Sequence, residues 1–196
     1  MRWVWIGDSI TEAMAEPLAL GYSARGDEAF IYHNSGWSVA RWLAEGAVDS
    51  TVLAARPAVV VVALGTNDTD APQERFVRNV KELTERAKAS NARVVWIGPF
   101  NSRARNDWGK AAAVAPWVDG MKLAAGLART PDGVHFTAEG SRELAQRAAT
   151  AVDTELAELL RPPKPPSRGS VVVPLVLGLV LGGAIVAGVR LSRRSR

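Results

Sequence analysis

Residues 2–11 have the sequence RWVWIGDSIT, in which an apolar run is followed by a glycine, an acid and a hydroxyl. The pattern predicts a β-strand that ends near Gly7 and a helix that begins at Ser9. The free backbone N–H groups and the positive end of the helix dipole would then face whatever the hydroxyl of Ser9 attacks, where an acyl-transfer intermediate carries negative charge. This is a suitable place for a nucleophile, although a Gly-Asp-Ser sequence alone is equally typical of a turn or a helix cap.

Further along the chain, apolar strand-like runs alternate with helical patterns. The run Ala58–Leu64 is apolar throughout, which is typical of a central parallel strand covered on both faces. Over residues 72–89, apolar residues recur at the spacing of one helix face. The alternation predicts an α/β domain with a parallel sheet between two layers of helices. The predicted strands are 3–6, 30–33, 58–64 and 93–98, and the predicted helices are 38–45, 72–89, 110–127 and 138–160.

Three residues with polar chemistry follow three of the predicted strands. Ser9 comes after the first strand, Gly36 after the second and Asn67 after the third. The carboxyl ends of parallel strands lie at one edge of a sheet, and active sites form there. We therefore expect these residues to converge at that edge.

Four short motifs occur in order along the chain, and each carries a group that acyl transfer uses. Serine is a weak nucleophile unless a base such as histidine takes its proton. A glycine N–H and an asparagine amide are suitable donors to an oxyanion. Each motif alone is as typical of a turn, but together they favour a catalytic site. The motifs are GDSIT at 7–11, NSGWS at 34–38, GTND at 65–68 and DGVHF at 132–136.

Together the motifs resemble those of the SGNH hydrolase family, also called GDSL-type esterases and lipases, which is named after Ser, Gly, Asn and His. The four matching residues are Ser9, Gly36, Asn67 and His135. The resemblance extends over residues 1 to about 160, and Ile10 stands where the family motif has Leu. It implies a three-layer, flavodoxin-like α/β/α fold and the hydrolysis of an ester without a cofactor.

The resemblance also implies a role for each residue. Ser9 would be the nucleophile and His135 the general base, with Asp132 orienting the imidazole from three residues earlier. The other histidine, His33, is expected to bond to a neighbouring loop. The predicted oxyanion hole consists of the backbone N–H groups of Ser9 and Gly36 and the side-chain amide of Asn67.

Other chemistries find little support in the sequence. The chain has no cysteine, which excludes disulfides and thiolate metal sites. Asp8, Asp68 and Asp70 lack the spacing of known metal-ligand motifs, so no metal is predicted, and Asp8 is expected to brace the nucleophile turn. The phosphate-binding loops of nucleotide-binding proteins are also missing from the sequence.

One segment is expected to border the pocket. Residues 99–117 follow the fourth predicted strand at the same edge and are predicted to influence specificity. Trp37, Trp108 and Trp117 are candidate substrate-facing aromatics, although packing in the core is an equally good prediction for each of them.

The C-terminal part differs in composition from the rest. The net charge is +4, but residues 161–196 contain seven Arg and Lys residues and no acid, so residues 1–160 carry about −3. A nucleic-acid-binding domain is therefore not supported. The predicted organisation is an esterase domain at 1–160, a Pro-rich linker at 161–170, a transmembrane helix at 171–189 and a basic tail at 190–196.

The membrane prediction leaves the orientation of the span and the oligomeric state open. No signal peptide is evident, whereas the basic flanks on the two sides of the span are too evenly matched to fix its orientation. The chain is thus predicted to be a single-pass membrane protein with a C-terminal anchor, and the side of the membrane on which the enzyme domain lies is left open. Gly178 and Gly182 have a spacing compatible with a weak homodimer.

The sequence therefore predicts a membrane-anchored serine esterase. The resemblance is compatible with acetylated carbohydrate, a lysophospholipid or an acyl thioester as the substrate. The alternative hypothesis is a non-catalytic, membrane-tethered binding module on a degenerate esterase fold. Labelling by a fluorophosphonate would separate the two hypotheses.

Overall fold

The structure is a computed structural model that describes residues 1–161. The predicted linker beyond Arg161, the transmembrane helix at 171–189 and the basic tail lie outside the described residues. The strands are β1 (Arg2–Gly7), β2 (Glu28–His33), β3 (Val59–Ala63), β4 (Arg93–Ile97) and β5 (Trp117–Val118). The helices are α1 (Ser9–Ala24), α2 (Val39–Ala44), α3 (Ala47–Ala55), α4 (Gln73–Lys88), α5 (Arg103–Ala113), α6 (Gly120–Ala124) and α7 (Ala138–Leu160).

The five strands form one parallel sheet in the order β2-β1-β3-β4-β5. This is a doubly wound order, in which β2 lies on one side of β1 and the later strands β3, β4 and β5 are added on its other side. The α/β prediction with a parallel central sheet is confirmed. β1 and β3 lie inside the sheet, which explains why their sequences are almost wholly apolar.

Two apolar cores cover the two faces of the sheet. On one face Trp5 and Val61 pack with the buried side chains of α1 and α7, including Met14 and Leu144. On the other face Val62, Trp96 and their neighbours pack with buried side chains of α2 to α5. Alternate residues of each strand contribute to opposite cores, as the pleat of a β-strand requires.

The predicted helix at 110–127 is wrong. Helix α5 ends at Ala113, and residues 117–118 pair with β4 as strand β5. Val114 adopts a left-handed conformation with φ 45°, and Pro116 precedes the strand. Proline has no N–H for a helical hydrogen bond, so the helix cannot continue through this point.

One further difference concerns a helix. Helix α3 was not expected from the sequence, and it lies between α2 and β3. Within residues 1–161, none of the helices has the combination of length and hydrophobicity that a bilayer crossing needs.

The sheet directs two helix N-termini toward the same edge. Helix α1 begins at Ser9, directly after β1, and α7 begins at Ala138, three residues after His135. Both helices pack on the same face of the sheet and contact one another. The predicted nucleophile therefore begins one of two neighbouring helices, and the predicted base precedes the other.

Candidate active site

The nucleophile turn, residues 7–11, is tightly packed. A Cβ atom on Gly7 would lie 1.9 Å from Thr11 Oγ1 and 2.4 Å from Thr11 Cβ, so no larger residue fits without a shift of Thr11. The carbonyl of Gly7 accepts a hydrogen bond from Trp42 Nε1 at 3.2 Å. Thr11 is fully buried, and these contacts fix the backbone that carries Ser9.

Asp8 caps α1 from a buried position. Its Oδ1 accepts the backbone N–H of Ile10 at 3.0 Å, and the residue is only 1% exposed. Burial in this low-dielectric position raises the pKa of the Asp8 carboxyl to about 6, with backbone hydrogen bonds and the charge of His135 acting in the opposite direction. The expectation that Asp8 braces the turn agrees with its capping bond.

The base loop, residues 129–136, is closed by backbone bonds. Arg129 and Phe136 pair as an isolated antiparallel bridge, and the N–H of Thr130 donates to the carbonyl of His135 at 3.0 Å. Gly133 turns the loop with φ 71°. Glycine adopts this left-handed conformation without steric cost, so the loop can return toward α7 within a few residues.

A continuous hydrogen-bond chain joins the nucleophile turn to the base loop. Ser9 Oγ lies 2.8 Å from His135 Nε2, and His135 Nδ1 lies 2.6 Å from Asp132 Oδ2. Ser9 is half-buried, whereas the His135 and Asp132 side chains are 42% and 50% exposed. A hydroxyl, an imidazole and a carboxylate in this order can activate the hydroxyl as a nucleophile.

The carboxylate of Asp132 is held by several donors. Its Oδ1 accepts the backbone N–H groups of Val134 and His135 at 2.8 and 3.0 Å and the hydroxyl of Thr130 at 2.7 Å. Together with the bond to the imidazole, these donors hold the pKa of Asp132 well below its usual range. The group therefore remains ionised at neutral pH and can stabilise a protonated His135.

Arg129 is a residue of this region that sequence reasoning missed. Its guanidinium donates to the carbonyls of Val134 at 2.5 Å and Phe100 at 3.2 Å. It also lies over the ring of Phe136, with 4.3 Å between the guanidinium carbon and the ring centroid. Arg129 thus ties the base loop to the segment after β4, a connection for which the sequence holds no spacing signal.

The predicted oxyanion donors lie on three neighbouring segments at the same sheet edge. Within residues 1–161, the backbone N–H groups of Ser9 and Gly36 donate to no protein acceptor. Gly36 has φ 75° in the loop after β2. Asn67 lies in the loop after β3, and its Nδ2 donates to Asp8 Oδ2 at 3.1 Å and to the carbonyl of Trp37 at 3.3 Å.

The rim residues that the sequence suggested occupy different environments. Trp117 is only 8% exposed and stacks on Trp96 at 5.4 Å between ring centroids, so it is a core residue. Trp108 is partly buried against the same core, and Trp37 packs edge-on against Trp42. The influence of residues 99–117 on specificity stays a prediction.

His33 and two neighbours form a polar group beside the loop of Gly36. His33 Nδ1 lies 3.9 Å from Glu12 Oε2, and Ser35 donates its hydroxyl to the same carboxylate.

Two acids of the site loops are bonded to the protein. Besides Asp8, which caps α1, Asp68 accepts the backbone N–H of Val39 at 3.0 Å. Within residues 1–161, no three His, Asp or Glu side chains are grouped closely enough to hold a metal ion.

Comparison with protein families finds one match that covers most of the chain. The sequence profile of the GDSL-like lipase/acylhydrolase family matches residues 5–169. No curated protein is similar enough in sequence to count as a match.

Solved structures share the fold at low sequence identity. A psychrotrophic esterase from Pseudoalteromonas sp., in a structure inhibited by monoethylphosphonate, has a TM-score of 0.67 and 16% identity over 80% of this chain and 98% of its own. An acetyl xylan esterase has a TM-score of 0.64 and 18% identity over 78% and 100% of the two chains. A lipase/acylhydrolase from Enterococcus faecalis has a TM-score of 0.62 and 19% identity over 80% and 97%.

Proposed function

The chain belongs to the GDSL-like lipase/acylhydrolase family and is an ester-hydrolysing serine hydrolase, and from this premise we propose that Ser9 is its nucleophile. In this proposal His135 is the general base and Asp132 orients it. The observation that carries the proposal is the 2.8 Å contact between Ser9 Oγ and His135 Nε2, continued by the 2.6 Å contact to Asp132. The order of the groups matches what a hydroxyl nucleophile needs.

The first half of the reaction forms an acyl-enzyme. Ser9 Oγ attacks the ester carbonyl carbon while His135 Nε2 takes the hydroxyl proton. Asp132 accepts a hydrogen bond from His135 Nδ1–H and stabilises the imidazolium that forms. The C–O bond to the alcohol then breaks, and His135 returns the proton to the departing alkoxide.

The second half releases the acid. A water molecule gives its proton to His135 and attacks the acyl carbon, and the bond to Ser9 Oγ breaks as the serine regains its proton. In both halves the negative charge on the carbonyl oxygen is stabilised by the N–H groups of Ser9 and Gly36 and the amide of Asn67. Loss of one such donor typically slows an enzyme by about 10²- to 10³-fold.

We propose a short acyl group as the preferred substrate, which makes acetylated carbohydrate the first of the three candidate classes. The cavity beside the proposed oxyanion donor Asn67 has a volume of only about 120 Å³; polar side chains such as Ser38, Asp70 and Arg75 line part of it, and neither Ser9 nor His135 does. A long acyl chain of a lysophospholipid would place apolar surface against these groups, which is unfavourable. An acyl thioester with a short acyl group would fit the same space.

Attachment to a membrane is the second part of the proposal. Residues 171–189 form an uncharged, apolar run that is long enough for a helix to cross the hydrocarbon core. Basic residues lie on both sides of the run, so the side of the enzyme domain stays open, and Gly178 and Gly182 offer a close-packing surface for a weak homodimer. Cell fractionation tests it: the full chain should sediment with membranes, and a chain truncated after residue 170 should not.

A fluorophosphonate probe tests the assignment of the nucleophile. We expect the probe to label the full chain and peptide mass spectrometry to place the adduct on Ser9. Ser9→Ala should not be labelled, and His135→Ala should be labelled at least about 10²-fold more slowly because the hydroxyl loses its base. A folded wild-type chain that resists the probe would favour the binding-module hypothesis.

A series of p-nitrophenyl esters tests the acyl preference. We expect kcat/KM to be highest for the acetyl ester and to fall by at least about tenfold for the decanoyl ester. A preference for the decanoyl ester would contradict the short-acyl proposal and favour a lipid substrate, while the assignment of Ser9 would be unaffected.

A further inference from the structure

The buried carboxylate of Asp8 makes a contact that the reaction steps above do not use. Its Oδ1 is occupied by the N–H of Ile10, and its Oδ2 accepts Asn67 Nδ2 at 3.1 Å. The residue is 1% exposed, and burial of a carboxylate is unfavourable unless its bonds compensate for lost hydration. Capping of α1 needs only one of the two oxygens, so the second oxygen is available for another role.

We propose that Asp8 is a positioning residue that fixes the orientation of the Asn67 amide, so that Asn67 presents an N–H, and not its carbonyl, to the oxygen of the reacting ester. This proposal rests on the proposed function of Ser9. It concerns how the oxyanion hole is assembled, since Asp8 acts through Asn67 and touches no reacting atom.

The argument follows from the two ends of an asparagine side chain. The amide can rotate by 180° with little change of shape, which exchanges its oxygen for its NH₂ group. An ionised carboxylate is only an acceptor, so the flipped amide would place Asn67 Oδ1 against Asp8 Oδ2 and two acceptors would repel one another. Asp8 therefore selects the orientation in which Nδ2 points toward the oxyanion side.

The second hydrogen on Asn67 Nδ2 explains how the amide can serve the substrate. It points to the carbonyl of Trp37 at 3.3 Å, in the loop that also carries Gly36. The oxygen of a bound ester can replace this carbonyl as the acceptor. The bond to Asp8 stays in place throughout, and so the donor needs no reorientation at the moment of reaction.

The charge state of Asp8 gives the proposal a pH signature. Burial raises the pKa of Asp8 to about 6, and a protonated carboxyl can donate to a flipped Asn67 and no longer excludes that orientation. His135 faces Asp8 across Ser9 and favours the ionised form when it is positive. Glu12 on α1 is bonded to Ser35, and Asp68 on the loop after β3 is bonded to Val39.

Asp8→Asn tests the proposal because it keeps one of the two side-chain oxygens and replaces the other by an NH₂ group. Asparagine caps helices as well as aspartate, so its Oδ1 can keep the bond to Ile10. Its NH₂ group then faces Asn67 and favours the flipped amide. We expect kcat for p-nitrophenyl acetate to fall by about 10²-fold, with KM changed by less than about twofold.

The pH profile supplies a readout that a merely structural role would not move. As the pH falls through about 6, the slope of log kcat/KM against pH should be steeper for the wild type than for Asp8→Asn, because only the wild type carries a carboxyl that must be ionised at this position. The matched control is Asp119→Asn, which changes the aspartate cap of α6 and should keep the wild-type kcat and slope.

A double-mutant cycle with Asn67→Ala decides whether Asp8 acts through Asn67. We expect Asp8→Asn to slow the Asn67→Ala enzyme by less than about threefold, because no amide remains to be oriented. Losses that multiply in the double variant would overturn the proposal. Should Asp8→Asn fail to fold, Asp8→Ser replaces it, since serine caps α1 but is too short to reach Asn67.

Ser9→Ala in the same assay separates the two levels of the account. Residual turnover of Ser9→Ala equal to wild type would overturn the proposed function and, with it, the oxyanion hole that Asp8 is proposed to organise. An inactive Ser9→Ala together with a multiplicative cycle would overturn only the role of Asp8.

Discussion

The nucleophile turn and the base loop position their residues by different physical means. The turn lies at the end of a buried strand, where Gly7 packs against Thr11 and Asp8 is 1% exposed. The base loop lies at the surface, where Asp132 and His135 are about half exposed and local hydrogen bonds hold them. The position of Ser9 is therefore set by the core, and that of His135 mainly by hydrogen bonds within the base loop.

The two carboxylates of these regions differ in the same way. Burial raises the pKa of Asp8 to about 6, while hydrogen-bond donors lower the pKa of Asp132 below its usual range. The folded state thus binds more protons than the unfolded state at Asp8, and fewer at Asp132. Stability should fall as the pH rises from about 4 to about 6 because of Asp8, and should fall below about pH 4 because of Asp132.

The largest expected effect comes from breaking the base loop at its acid. Asp132→Asn removes the charge that stabilises the imidazolium and offers an amide in place of one acceptor, so kcat should fall by about 10³-fold. The fold should survive, since Asp132 is exposed. Steady-state kinetics and circular dichroism of the variant check both statements, and a loss of less than about tenfold would mean that Asp132 does not orient His135.

Two glycine substitutions contrast the packing of the two regions. Gly7→Ala forces a Cβ against buried Thr11 and should destabilise the protein by about 3 kcal/mol. Gly133 has φ 71° but open space around an added Cβ, so Gly133→Ala should lower the free energy of unfolding by only about 1 kcal/mol. Urea unfolding measures both values, and equal losses would show that the turn is no more constrained than the loop.

Asp8→Asn should also raise stability while it lowers activity. A carboxyl with a folded-state pKa of about 6 in place of 3.8 costs the folded protein on the order of 2–3 kcal/mol at pH 7, and part of this should be recovered. A gain of about 1 kcal/mol would raise the Tm by about 3 °C at pH 7 and by little at pH 4. A lower Tm at pH 7 would show that the bond to Asn67 outweighs the cost of burial.

The smallest expected effect concerns the anchor of the base loop. Arg129→Ala removes the bonds to the carbonyls of Val134 and Phe100, and kcat should fall by about tenfold because His135 becomes less well placed. Arg147→Ala is the matched control, since Arg147 binds the carbonyls of Leu123 and Ala125. Equal effects of the two variants on kcat would remove any specific role for Arg129.

The sequence predicted those features that local patterns encode. The apolar run before Gly7 predicted β1 and the start of α1 at Ser9, and the alternation of strands and helices predicted a parallel sheet. The structure also places His135 in hydrogen-bond contact with Ser9, and Asp132 in hydrogen-bond contact with His135. Their catalytic roles stay predictions until the variants are measured.

The features that were missed depend on contacts between distant residues. Pro116 stops the helix locally, and Trp117 then joins the sheet because it stacks on Trp96 and pairs with β4, a tertiary contact that the helical pattern of 110–127 does not contain. The bond between Asp8 and Asn67 joins residues 59 positions apart. Arg129 contacts Phe100 across 29 positions, and no spacing rule predicts such a pair.

The most direct test of the central claim is the hydrolysis of p-nitrophenyl acetate by the full chain beside Ser9→Ala and His135→Ala. The account predicts measurable turnover by the wild type and a loss of at least about 10³-fold in each variant. Without His135 the hydroxyl of Ser9 has no base, and without Ser9 the imidazole of His135 has no nucleophile to activate. Wild-type turnover that persists in a folded Ser9→Ala variant would show that another residue is the nucleophile.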